Sequence, residues 1–208
     1  MIVAIDTSSA IAVAVLEGDD VRATRSEFSP RGHAELLASM ISGAMDDAGA
    51  TGADIESVVV GTGPAPFTGL RVGLMTARTL GYVWGVPVRG VCSLDAIGAR
   101  CGADGDPDVT VVADARRKEV YWAHYIDGVR DGDPQVSAPS AVTANGVVVG
   151  RGALLYPEAF PVATNADPDP AWLARVANRS IGAGAGDEDF PTEPLYLRRP
   201  DVHGVPGA

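Results

Sequence analysis

Residues 61–73, Gly-Thr-Gly-Pro-Ala-Pro-Phe-Thr-Gly-Leu-Arg-Val-Gly, set a glycine-rich turn directly after the apolar run Val58-Val59-Val60 and directly before a helical segment that continues to Trp84. The apolar run reads as a buried strand. Strand, glycine-rich turn and helix in immediate succession is the layout that normally places backbone N–H groups around a phosphate. Here Pro64 and Pro66 lack that N–H, and the turn carries no lysine of the P-loop type. The architecture points to a nucleotide-handling ancestry, and the residues point to another use of the element.

The flanking segments predict a repeated α/β unit. Residues 2–6 form a strand ending in Asp6, Thr7-Ser8-Ser9 is a polar turn, residues 10–16 return as a strand, and residues 21–28 follow Gly18-Asp19-Asp20 as a third. Pro30 and Gly32 break the chain ahead of a helix over 33–48. Its Leu36, Leu37, Met40, Ile41, Ala44, Met45 and Ala48 recur at three- and four-residue intervals and make one broad apolar face. A strand over 55–60, the helix over 68–84 and a short strand over 86–91 complete this half. The opening then recurs: residues 109–114 form a strand ending in Asp114, Ala115-Arg116-Arg117-Lys118 is a polar turn, and residues 119–125 return. Two such openings predict a duplication, with a first lobe over 1–103 and a smaller, less regular second over 104–208; two unrelated hairpins are the alternative. The second half also reads as a strand over 146–150, a turn at Arg151-Gly152-Ala153, a short helix over 171–179, an extended segment over 191–200 and a frayed end over the last eight residues.

Charge and composition narrow the chemistry. Against 16 basic side chains stand 27 acidic ones, a net charge of −11, and a surface that negative repels a nucleic-acid backbone. The chain starts as a strand that reaches an aspartate at position six, with no basic leader, and the apolar helix over 67–84 is interrupted by Arg71 and Arg78. The expectation is a cytoplasmic protein that does not span a membrane, with Cys92 and Cys101 as reduced thiols. His33, His124 and His203 are scattered and the two cysteines stand alone, so no metal-ligand spacing exists. Ser8 and Ser9 lack a nucleophile elbow.

Three features retain functional readings. Asp6 with Thr7 and Ser8, and Asp114, sit where sugar-kinase- and actin-like folds hold Mg²⁺ or water beside nucleotide phosphates, but their turns lack glycine; the plainer reading is an aspartate ending a hairpin strand. Gly69, Gly73, Ala77 and Gly81 form a small-residue stripe, and each glycine costs a helix roughly 1 kcal/mol relative to alanine. Close approach by another element offsets that cost, and the element is either the chain's own sheet or a helix of another subunit. Arg116-Arg117-Lys118 is a basic cluster at a hairpin tip, either solvated or set against an acidic partner or a phosphate.

Taken together, Ile5-Asp6-Thr7-Ser8, Arg31-Gly32-His33-Ala34-Glu35-Leu36-Leu37, the segment Gly63 to Gly73, Asp114-Ala115-Arg116-Arg117-Lys118-Glu119-Val120-Tyr121 and Pro194-Leu195-Tyr196-Leu197-Arg198 resemble the TsaB (YeaZ) family. Ala65-Pro66 departs from the Gly-Ser usual there. The resemblance implies two tandem actin-like (ASKHA, ribonuclease H-like) α/β lobes, with a C-terminal segment able to pack back on the first. It implies a non-catalytic partner of the paralogue TsaD in forming N6-threonylcarbamoyladenosine at position 37 of tRNAs that read ANN codons. The ATPase TsaE joins the complex, tRNA is met only through it, and the isolated chain forms a homodimer. The implied interface comprises His33, Leu36, Leu37, Met40, Ile41, Gly69, Leu70, Gly73 and Ala77. No cofactor is implied, with ATP or ADP held only at a shared interface. Where TsaD carries two metal-binding histidines, this chain has Ser93 and Ile97, and isoleucine ligates no metal. The alternative is a stand-alone enzyme, a glycoprotease-like metallopeptidase or small ATPase, which requires a metal or a nucleotide cradle.

Overall fold

Strict alternation along the first strand, β1 (Ile2–Asp6), divides its side chains between two cores. Val3 and Ile5 enter one apolar cluster with Leu37, Ile41, Leu70 and Leu74, whereas Ile2 and Ala4 enter another with Ala96, Leu173 and Ala174. A strand buried on both faces requires a covering layer on each side, and helices supply both. The structure is a computed structural model that describes residues 1–28 and 33–198, without the side chains of His33, Ala34 and Phe67. The expected break at Pro30 and Gly32 and the expected frayed end lie outside the described residues.

β1 pairs antiparallel with β2 (Ile11–Glu17), which pairs antiparallel with β3 (Asp20–Glu27). On its other side β1 runs parallel to β4 (Ser57–Gly61), which runs parallel to β5 (Val88–Val91). The order is therefore β3-β2-β1-β4-β5. Helices α1 (His33–Ala48) and α2 (Phe67–Trp84) cover one face. Gly85 ends α2 in the left-handed conformation at φ 68°, a terminus that glycine adopts without steric cost.

The second sheet repeats the first strand for strand. β6 (Asp108–Asp114), β7 (Val120–Ile126) and β8 (Val129–Ser137) form an antiparallel meander, and β9 (Val147–Val149) and β10 (Ala163–Thr164) add in parallel beside β6, giving β10-β9-β6-β7-β8. This is the α/β, ribonuclease H-like arrangement of two actin-like lobes expected from the sequence. Helix α3 (Ser93–Ala103) packs Leu94 and Ile97 under the second sheet and Ala96 under the first. The expected turn at 151–153 is instead a helix, α4 (Arg151–Leu154), because Ala153 is drawn into an apolar cluster with Val112, Val120 and Phe160. Helix α5 (Pro170–Gly182), started by the Asp169 carboxylate accepting from Ala171 N at 2.9 Å, crosses back to cover the second face of the first sheet. Residues 187–198 then run along the free edge of β5 as a strap. Gly90 N donates to Phe190 O at 3.1 Å, and Leu195 N donates to Thr62 O at 2.8 Å.

Candidate functional site

The glycine-rich turn opens where β4 ends at Gly61. A Cβ on Gly61 would overlap the Asp6 carboxylate and Ser93 Oγ, so glycine here lets a polar cluster close beneath the turn. Ser93 Oγ donates to Asp6 Oδ2 at 2.6 Å and accepts from Gly63 N at 3.1 Å. Ser93 N donates to Gly63 O at 2.8 Å and Thr62 N to Val91 O at 2.8 Å. The Thr62 and Gly63 N–H groups of the turn are thus engaged by the chain itself. Gly63–Pro64 is a cis peptide.

Asp6 is buried and accepts two further hydrogen bonds on Oδ1, from Ser8 N at 2.8 Å and Ser8 Oγ at 2.6 Å. Burial pushes its carboxyl above the usual carboxylate range; the serine hydrogen bonds oppose the shift, and the nearby Asp167 charge adds to it. Thr7 turns away from this cluster and donates to Gly69 O at 2.9 Å, anchoring α2 to the hairpin. Asp114 occupies the matching position in the second sheet and accepts from Arg116 N at 2.7 Å, the same local turn that Asp6 makes with Ser8. Asp114 is only half buried and its partner is the exposed Arg116. The expected nucleotide-site residues therefore fall into two separate clusters, each tied to its own hairpin.

Between the sheets, the Ser9 hydroxyl donates to Asp167 Oδ1 at 2.6 Å, and Arg151 forks onto both oxygens of Asp167 at 3.0 and 2.7 Å. The Arg151 guanidinium also lies 4.4 Å from the Phe28 ring centroid. Burial raises the Asp167 carboxyl, but the Arg151 and Ser9 hydrogen bonds outweigh it and leave the group below the usual range. A fixed clasp thus joins the first hairpin to the second half of the chain.

Most of the residues expected to face a partner are used inside the chain. Leu37, Met40, Ile41, Leu70 and Ala77 are buried against the first sheet, and Leu36 packs at the margin of the same cluster. A Cβ on Gly73 would overlap the Thr7 hydroxyl, and one on Gly81 would overlap Val88. The small-residue stripe therefore accommodates the chain's own sheet. Gly69 is half buried, and the side chain of His33 is outside the described residues. What α2 presents outward is a different set: Met75, Tyr82 and Val83 are 59%, 90% and 67% exposed. With Arg71, Arg78 and Thr79 they share one face at helical spacing. The sequence reading missed them, although apolar residues at 75, 82 and 83 fall outside the inward-facing stripe.

Comparison with known proteins places this geometry. Residues 26–158 match the family model of TsaD, tRNA N6-adenosine threonylcarbamoyltransferase. An uncharacterized protein of Mycobacterium tuberculosis is 42% identical over 206 residues, covering 97% of this chain and 93% of the relative. The tRNA threonylcarbamoyladenosine biosynthesis protein TsaB of Bacillus subtilis is 31% identical over 125 residues, covering 60% of this chain and 54% of that protein. Among solved structures, YeaZ from Pseudomonas aeruginosa superposes with a TM-score of 0.80 at 29% identity, covering 94% of this chain and 99% of that one. No helix of the described residues is long and apolar enough to cross a membrane.

Proposed function

This chain belongs to the TsaB/YeaZ family and has its place in tRNA threonylcarbamoyladenosine biosynthesis, where we propose that it is a non-catalytic docking subunit rather than the reaction centre. The carrying observation is the outward face of α2, where Met75, Tyr82 and Val83 stay in water while the inner face of the same helix is filled by its own sheet. Burying apolar side chains of this size favours association and works against the freedom lost when two bodies join. Tyrosine, methionine and arginine are the residue types enriched in interface cores, and Arg71 and Arg78 flank the apolar set.

The partner in this reading is TsaD, whose family model overlaps both α1 and α2 of this chain, so that matching helices of two paralogues meet. In the absence of TsaD, two copies of this chain pair through the same self-complementary face. TsaE joins the assembled pair, tRNA is delivered through the complex, and ATP or ADP binds only where the subunits meet. The non-catalytic role is supported by Ser93 and Ile97, which stand where the resemblance places the metal-binding histidines of TsaD. Ser93 spends its hydroxyl on Asp6 and Ile97 is buried in apolar packing.

The test is the double variant Tyr82→Asp/Val83→Asp. Both side chains are solvent-exposed, so the isolated variant keeps its fold. Co-purification with TsaD and modification of position-37 adenosine in tRNA should both be lost. Wild-type modification by this variant would move the docking face elsewhere.

A further inference from the structure

Arg116, Arg117 and Lys118, at the tip of the hairpin between β6 and β7, have φ of 61°, 55° and 61°. None is glycine, and left-handed backbone is unfavourable for any residue with a Cβ. Three in succession persist only where the surroundings over-determine them. Here they do. Asp114 Oδ1 accepts from Arg116 N at 2.7 Å, and Asp114 Oδ2 pairs with Arg116 Nη1 at 3.1 Å. Glu119 N donates to Arg116 O at 3.0 Å, and Ala115 N donates to Glu119 O at 3.1 Å. From outside the hairpin, Arg198 pairs with Glu119 and donates to Ala115 O at 3.4 Å.

The equivalent hairpin of the first sheet carries Thr7-Ser8-Ser9, with no charge and no left-handed residue. Two hairpins built on the same aspartate turn have therefore diverged, one closed and neutral, the other strained and tricationic. A hairpin tip that only reversed the chain would be filled at less cost by glycine or asparagine. All three basic residues are exposed, and the Arg116 side chain is 73% exposed despite its pairing with Asp114. Of the chain's acidic side chains, Asp114 and Glu119 stand at the base of this tip and offset part of its charge; Glu119 is itself paired with Arg198, so the local balance stays positive. The C-terminal strap touches both the tip and α2: Arg198 pairs with Glu119, and the Tyr196 hydroxyl accepts from Arg71 Nε of α2 at 2.8 Å.

We propose that the Arg116–Arg117–Lys118 tip contacts the phosphodiester backbone of the RNA that the complex modifies. The proposal rests on the reading that this chain works within a tRNA-modifying complex, and it adds a direct contact to a subunit whose overall charge argues against one. Contacts to phosphate oxygens fix register and orientation, so its contribution is to position the RNA without selecting sequence.

The experiment uses the complex with TsaD, its formation first verified by gel filtration, and measures tRNA binding by fluorescence anisotropy across a salt series. Arg117→Gln/Lys118→Gln should weaken binding about 10-fold at 0.15 M salt, equally for tRNAs of different sequence. It should also lower the slope of log K against log salt by about 2, near one per lost phosphate contact. Lys118→Gly keeps the left-handed turn without a Cβ, and so separates charge from folding. It should lower the slope by about 1 with no fall in Tm. An unchanged slope in both variants overturns the proposal. Loss of TsaD co-purification in the double variant also overturns it, because the tip then meets an acidic protein surface. If the wild-type chain does not assemble with TsaD, the docking reading has failed on its own account, and the same titration on the isolated chain decides the tip.

Discussion

Ser93 Oγ donates a 2.6 Å hydrogen bond to Asp6 Oδ2, joining the N-terminus of α3 to the end of β1 across 87 positions of sequence. The contact exists because Gly61 carries no side chain between them. The serine hydroxyl satisfies the aspartate and the Gly63 amide at once. The result is a polar cluster that rigidifies the junction of β1, β4 and α3.

Asp6→Asn reports the electrostatics of this cluster. Burial raises the folded-state pKa of Asp6 above its unfolded value, so its contribution to stability is complete at acid pH and is lost as pH rises through the folded value. The asparagine variant does not titrate. Its stability relative to wild type should therefore increase from the ordinary carboxylate value of about 3.9 upward and level off once Asp6 is ionised. Urea unfolding of both proteins at several pH values checks the trend, and a variant whose stability relative to wild type falls with rising pH would contradict the assignment.

Gly73→Val tests whether the small-residue stripe serves the fold. Its Cβ would overlap the hydroxyl that Thr7 uses to hold Gly69 O. Overpacking of this kind costs about 1–3 kcal/mol, to which loss of the Thr7 hydrogen bond adds about 1 kcal/mol. Tyr82→Ala on the opposite face should stay within about 0.5 kcal/mol of wild type. Equal urea midpoints for the two variants would place the stripe outside the core.

These contrasts show what was legible in the sequence. The strands around Asp6 and Asp114 and helices α1 and α2 follow from apolar periodicity and turn residues, which are local signals. β8 is not legible in the sequence because Gly132 and Pro134 interrupt its alternation, and pairing with β7 decides it instead. The apolar face of α1 and the stripe of α2 were visible, but periodicity cannot say whether a face meets the chain's own sheet or another chain. Ser93 carried no signal as a partner of Asp6, because that contact is set by how α3 packs between the two sheets. The left-handed run at 116–118 was invisible for a related reason, since none of its residues is a type that favours positive φ.

Cys92 should be unreactive in the folded protein. Burial, reinforced by the Asp95 charge, pushes its thiol up to about 12. At pH 8 the thiolate is then on the order of 10⁻⁴ of the population, about a thousandfold less than for a free cysteine. Cys101 is half buried, and burial together with Asp106 and Asp104 raises its thiol as well. A disulfide reagent should therefore label Cys101 slowly and Cys92 only after unfolding. Labelling of Cys92 in the native state at the rate of a free thiol would show that its pocket opens.

Asp167 offers the counterpart to Asp6, because hydrogen bonds from Arg151 and Ser9 hold it below the usual range against the effect of burial. Its stabilising contribution is present above the unfolded pKa and is lost as pH falls through the folded value, the reverse of Asp6. Asp167→Asn removes the paired charge and should cost about 1 kcal/mol at neutral pH, modest because the Arg151 side chain is 40% exposed. The same substitution removes the negative charge that adds to the upward shift of Asp6. The Asp6 carboxyl should accordingly titrate at lower pH in the variant. Urea unfolding reads the stability cost, and carbon-detected NMR titration of wild type and variant reads the Asp6 shift. An Asp6 resonance that titrates at the same pH in Asp167→Asn would show that the clasp and the cluster under the glycine-rich turn are electrostatically independent, and one that moves to higher pH would contradict the assigned sign.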